Sequence, residues 1–248
     1  GISMGIMPFN FPAMIPLWMI PLSIVTGNSI IIKSSEKCPY TPLCLAYGAT
    51  ESGIPDGLVN VIHGDKDITN NLITHPDMKA VSFAGSTDVG KKVYNLATKH
   101  GKRTQINMGA KNHAVIMPDA NYEDAANSII SGFVMGQRCM AISVLIVVDG
   151  ADAVINNLVD NLKNIDPIQD IGPLITNEAK ENIKDSIKKS VNEGANIIYG
   201  NYNKIINNDN GNYIEPILID NVNVNMSTYK NELFGPVLSI IRVKTIND

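Results

Sequence analysis

Apolar and polar positions alternate in short blocks through the first half of the chain. Ser29–Lys33, Leu58–His63 and Ala80–Phe83 are β-rich runs. Each is followed by a stretch with helical spacing: Thr41–Ser52, closed by Gly53-Ile54-Pro55, then Asp65 to about Thr74, then Ser86–Lys99, ending at His100-Gly101. Strand–helix alternation of this length predicts parallel βαβ units and an α/β sheet. The second half repeats the habit with different detail. Ala114–Met117 and Ile142–Val148 read as strands around a helix over Tyr122–Met135, for which Asn121 is the candidate N-cap. Thr176–Glu193 predicts a long, charged, solvent-washed helix, and Asn201–Tyr213 an exposed Asn-rich loop. The pattern breaks at Gly109, so the boundary between two domains is placed at Met108–Lys111.

Composition narrows the class. With 248 residues, 44% of them apolar, the chain can bury a substantial core. The net charge is −4 and the 20 Lys and Arg are scattered, without the basic stripe that nucleic acid requires. The longest apolar stretch, Phe11–Val25, is interrupted by Pro12, Pro16 and Pro21, too short and kinked for a membrane span, and no basic segment precedes it as in a signal peptide. Three cysteines, Cys38, Cys44 and Cys139, do not make a disulfide framework and point to a reducing compartment. The four histidines are dispersed and no CxxC spacing occurs, so no metal site is expected. The chain opens on glycine and closes on a strand-like run, which suggests a portion of a longer protein.

Five stretches carry chemistry. Val81–Lys91 is a strand–turn–helix in which Ser86 can cap the helix and leave N–H groups for a phosphate. At Lys33–Glu36 a lysine at a strand end and a glutamate three residues on can grip two ribose hydroxyls, or simply pair on a surface turn. Pro8-Phe9-Asn10-Phe11-Pro12 sets one amide among apolar neighbours. It must be hydrogen-bonded or functional, because burying an unpaired amide costs about 1–3 kcal/mol, and such an amide can donate to an oxyanion. Glu232–Val237 reads as a turn feeding a strand. In Gly136-Gln137-Arg138-Cys139 a thiol stands at a helix–strand junction beside a cation, a setting that favours thiolate. On this chemistry alone, nucleophile and core residue are both open.

Taken together, PFNFP, KxSE, FxGST, GQRC and ExFGPV occur in the order and at the separations of the aldehyde dehydrogenase superfamily, which the whole chain resembles. Through IMPFNFPAMIPLWM, HGKRTQINMGAKNHAVIMPDAN and GQRCMA it resembles most the CoA-acylating branch that acts on methylmalonate and malonate semialdehydes in valine catabolism. The resemblance implies a Rossmann-like NAD-binding domain, mostly 1–108, and an α/β catalytic domain from 109 to 248, both incomplete here. It implies Cys139 as nucleophile and Asn10 as oxyanion donor. Phe9, Lys33, Glu36, Ser86, Glu232 and Phe234 would lie along NAD, with Lys33 and Glu36 at the adenosine ribose, Ser86 by the pyrophosphate and Glu232 at the nicotinamide ribose. Arg138 is the candidate for the substrate carboxylate. Coenzyme A is the implied cosubstrate, because hydrolytic members carry a glutamate general base where this chain has Asn107, and an amide is no base near neutral pH. Ser34 replaces the proline of the family's KPSE, which should loosen that turn. A homotetramer is implied, mitochondrial in a eukaryote and cytoplasmic otherwise. A hydrolytic aldehyde dehydrogenase and a non-catalytic protein retaining the fold stay open as alternatives.

Overall fold

A computed structural model of the chain describes residues 1–206 and 211–248, so the middle of the expected Asn-rich loop lies outside the described residues. The chain divides into two compact units, Gly1–Gly109 and Ala110–Asp248.

The first unit runs β1 (Ile2–Ile6), α1 (Met14–Val25), β2 (Ser29–Lys33), α2 (Tyr40–Glu51), β3 (Val59–Ile62), α3 (Lys66–Thr74), β4 (Met78–Ala84), α4 (Thr87–Lys99), β5 (Arg103–Asn107). Its five strands are all parallel in the order β3-β2-β1-β4-β5. The order reverses between β1 and β4, as in doubly wound nucleotide-binding sheets. Both faces of the sheet are covered. Met4, Ile6, Val81 and Phe83 pack with Ile73 of α3 and with Val93 and Ala97 of α4. Ile30 and Ile32 pack with Ile15, Met19 and Ile20 of α1. Burial on two faces explains the unbroken Ile30-Ile31-Ile32 run of β2, in which Ile31 packs in one core and Ile30 and Ile32 in the other. The Pro-rich apolar run is thus α1, a helix of 12 residues that buries Ile15, Met19 and Ile20. No helix among the described residues is long and apolar enough to cross a membrane.

The second unit runs β6 (Asn112–Ile116), α5 (Tyr122–Phe133), β7 (Ile142–Val148), α6 (Ala153–Leu162), a π-helical turn (Pro167–Ile171), α7 (Asn177–Asn192), β8 (Asn196–Tyr199), β9 (Ile217–Asp220), α8 (Ser227–Lys230), β10 (Val237–Val243). Its sheet has the order β6-β7-β10-β9-β8, parallel except for β8, which runs antiparallel on β9. Phe133, Leu145, Leu158 and Leu238 centre one core, and Ile183, Ile187, Ile217 and Val237 the other.

Asn121 caps α5 as expected, accepting from the N–H groups of Glu123 and Asp124, and the Thr176 hydroxyl accepts from Ala179 at the start of α7. Two expectations fail. The α7 helix is not washed by solvent all round: it seals Lys180, Ile183, Ile187 and Ser190 on one face. The helix expected to reach Met135 ends at Phe133, because Gly136 turns into the left-handed region at φ 61° and its N–H closes onto the Phe133 carbonyl at 2.9 Å.

Candidate active site

In the first unit the residues implied for the cofactor and the oxyanion lie at or beyond the carboxyl end of a strand. Phe9 and Asn10 follow β1, Lys33 ends β2 with Glu36 just after it, and Ser86 follows β4. Open parallel sheets bind ligands in this crevice, at the point where strand order reverses. Here that point lies between β1 and β4, which carry Asn10 and Ser86.

Lys33 is buried, and its Nζ donates to Glu36 Oε1 and, at 3.2 Å, to the Gly64 carbonyl. Burial opposes ionisation of Glu36. The Lys33 hydrogen bond, a backbone N–H and the Lys33 charge together outweigh it and hold the carboxyl below its ordinary range. A charged carboxylate acceptor therefore stands at the β2 edge.

Three expectations for this edge change. Ser34 does not loosen its turn: it is sealed at 1% exposure and its hydroxyl is bonded to His63 Nδ1 at 2.6 Å. A side-chain tie to the end of β3 thus does what a proline ring would do through φ. Ser86 occupies the N-cap position of α4, but its hydroxyl makes no cap hydrogen bond, so the first N–H groups of the helix are not claimed by it. Asn10 is half-buried rather than sealed, so its amide is not the costly buried group that the sequence suggested.

In the second unit the residues converge instead on the amino ends of three neighbouring strands. Lys111 precedes β6, Arg138 and Cys139 precede β7, and Glu232 to Gly235 precede β10; all line one cleft. Cys139 is a free, half-buried thiol in the turn between α5 and β7. The residues before it hold that turn. A Cβ on Gly136 would lie 2.0 Å from the carbonyl carbon of Gly235, so only glycine lets the thiol turn rest on the backbone of the Glu232–Pro236 turn. Gln137 donates from Nε2 to the Pro173 carbonyl at 3.0 Å and accepts from the Ile175 N–H at 2.9 Å, a reciprocal tie to the segment before α7. Phe234 sits at φ 52°, an uncommon conformation for a large side chain, beside that contact. Arg138 lines the same cleft.

Sequence reasoning missed two residues here. Lys111 Nζ donates to the Thr228 and Asn231 carbonyls at 2.6 and 2.7 Å. Burial pushes its pKa down to about 8, against the pull of the nearby Glu232 carboxylate. Asn112 Nδ2 donates to the carbonyls of Cys139 at 2.8 Å and Ala141 at 2.9 Å. The signal was present in the stretch GAKN, but the partners are 27 to 120 residues away in sequence. Among the described residues no group of three metal-binding side chains converges.

Human methylmalonate-semialdehyde/malonate-semialdehyde dehydrogenase [acylating], mitochondrial, is 44% identical over 257 aligned residues, covering 100% of this chain and 48% of its own length. The chain thus spans about half the length of the curated relatives it matches. A crystal structure of methylmalonate-semialdehyde dehydrogenase from Oceanimonas doudoroffii superposes with a TM-score of 0.95 at 40% identity, over 100% of this chain and 53% of that one. A Sinorhizobium meliloti structure, assigned to the same activity and complexed with NAD, gives 0.94 at 42% identity over 99% and 52%. The sequence profile of the aldehyde dehydrogenase family matches residues 1–248. The thiol turn, the strand order and the match over the whole length agree, and the chain belongs to the aldehyde dehydrogenase family.

Proposed function

We propose that this chain carries the cofactor edge and the nucleophile of an NAD-dependent, CoA-acylating oxidation of methylmalonate and malonate semialdehyde. The observation that supports it most is the accessible Cys139 turn, seated by Gly136 and Gln137 in one cleft with Arg138 and Glu232. The thiolate of Cys139 adds to the aldehyde carbonyl and forms a thiohemiacetal. Its oxyanion is stabilised by the Cys139 N–H and by the Asn10 amide, each roughly the donor that such intermediates require. Arg138 binds the substrate carboxylate through its guanidinium fork.

The carboxyl edge of the first unit fits NAD. Its strand order is that of dinucleotide-binding sheets, Glu36 offers an ionised acceptor to ribose hydroxyls, and the start of α4, with N–H groups that Ser86 leaves unclaimed, suits a pyrophosphate. Phe9 would border the cofactor on the same edge, and Glu232 and Phe234 are the residues that the family resemblance assigns to the nicotinamide ribose. Bound at that edge, NAD would supply the hydride acceptor needed for the Cys139 thiohemiacetal to become a thioester.

Release of the thioester separates the acylating reading from hydrolysis. Asn107, at the end of β5, cannot deprotonate water, so the acyl group passes to a nucleophile that ionises more readily, the thiol of coenzyme A. After oxidation the β-carboxylate of the thioester leaves as CO2 and the α-carbon takes up a proton, so the product is propionyl-CoA or acetyl-CoA. A homotetramer, mitochondrial like the curated relatives, belongs to the same proposal. Cys139→Ala tests the nucleophile. NADH formation by the whole protein should vanish while the Kd for NAD stays within about twofold, and substantial surviving turnover would overturn the assignment.

A further inference from the structure

Three consecutive residues at the start of β6 each hold a different piece of the second unit's cleft. The Ala110 N–H donates to Glu232 Oε1 at 3.3 Å. The Lys111 ammonium donates to the carbonyls of Thr228 and Asn231, so it grips the backbone leading straight into Glu232. The Asn112 amide group donates to the carbonyls of Cys139 and Ala141, on either side of Met140. Inside the thiol turn the Ala141 N–H returns to the Arg138 carbonyl at 3.1 Å. Every peptide carbonyl from Arg138 to Ala141 other than that of Met140 is therefore pinned, two of them by one side chain.

From this juxtaposition we propose that Lys111 and Asn112 form a clasp of two positioning residues, which sets the Glu232 turn and the Cys139 turn against one common strand end. Neighbours on an extended backbone point to different sides, so adjacent side chains can reach two separate turns. Lys111 sets the turn that carries Glu232, and Asn112 sets the orientation of the thiol and of the backbone N–H groups around it. The two are joined covalently, so the spacing between the turns is that of β6 and not of either turn alone. The clasp rests on the functional reading above for what the two turns do, but its geometry stands without it. Both grips end on carbonyls, so they need donors. Asn112→Asp keeps the shape while setting a carboxylate against two carbonyl oxygens, and Lys111→Met keeps the length while removing the charge.

The test uses the whole protein with Cys38→Ser and Cys44→Ser, so that Cys139 is the thiol of this chain that reports. Two readouts are taken for each variant: the rate of Cys139 alkylation by iodoacetamide across pH, and the Kd for NAD by calorimetry. Asn112→Asp should slow alkylation and shift its pH profile, by about tenfold in rate, while Kd moves less than about twofold; that factor corresponds to the loss of about one hydrogen bond. Lys111→Met should do the reverse, with Lys111→Arg restoring the affinity. Asn112→Ser, too short to reach either carbonyl, gives the same sign should the aspartate variant not fold. The crossed pattern supports the clasp. Variants that move both readouts by the same factor, or neither, overturn it. If the parent protein forms no NADH from either semialdehyde yet shows the crossed pattern, the functional reading fails and the clasp stands.

Discussion

Replacing Gly136 by alanine perturbs the thiol turn without touching any reactive group. The residue lies at φ 61°, and an added Cβ would stand 2.0 Å from the Gly235 carbonyl carbon, 2.3 Å from its oxygen and 2.4 Å from the Pro236 nitrogen. These are backbone atoms, so no rotamer change relieves the overlap; the turn before Cys139 must part from the turn before β10. The left-handed conformation costs alanine about 1–2 kcal/mol, and overpacking a closed contact adds about 1–3 kcal/mol, so a total loss of about 2–5 kcal/mol follows. Gly101 supplies the control. Its φ is 68°, but nothing lies within 4 Å of a Cβ built there, so Gly101→Ala should show only the conformational part. Urea unfolding of both variants measures the difference, and Cys139 alkylation reports the displaced turn. Gly136→Ala should be the less stable by about 1–3 kcal/mol, which is its overpacking share, and should alter the alkylation rate. Equal stability of the two variants, with unchanged thiol reactivity, would refute the close-contact reasoning.

Two further outcomes follow from the same cleft. Arg138→Leu should lower kcat/KM for the carboxylated semialdehydes by about one to two orders of magnitude, the worth of a charge-assisted pair, and affect propionaldehyde far less; equal losses on both would refute a carboxylate-binding role. The pKa of Lys111 falls from its ordinary 10.5 to about 8 on folding, with burial as the cause and the Glu232 carboxylate as the facing charge. Between these values the unfolded chain holds the proton that the folded chain has released, so this group makes stability rise with pH in that window. Urea midpoints at pH 7.5 and 9.5 should show a smaller rise for Lys111→Met than for the parent, and identical slopes would contradict the assignment.

How legible the molecule was in its sequence depended on where the determining contacts lie. β7 reads residue for residue as Ile142–Val148, because a short β-branched run buried in a parallel sheet has no competing helical period. β5, Arg103–Asn107, gave no such signal: it alternates exposed and half-buried positions at a sheet edge and carries a single aliphatic side chain, Ile106. α6 begins after Asp152, a residue type that favours N-caps, but that side chain makes no cap hydrogen bond. At the candidate site Cys139 stood out because its chemistry is local, whereas the need for glycine at 136 comes from the distant Gly235 backbone. Lys111 and Asn112 did not stand out, since what makes them matter is carbonyl groups at α8 and in the turn before β7, far away in sequence. The Ser34 turn was misjudged for the same reason. Its stiffness comes from His63, at the end of a different strand, and not from the residue itself.

The proposed function requires that Cys139 form a thioester which passes to a thiol rather than to water. Rapid mixing of the whole protein with methylmalonate semialdehyde and NAD, with and without coenzyme A, tests it most directly. Without coenzyme A a single burst of NADH equal to the number of Cys139 sites is expected, and with it steady turnover with a CoA thioester as product. Fast, sustained NADH formation with free carboxylic acid as product and no thiol present would contradict it.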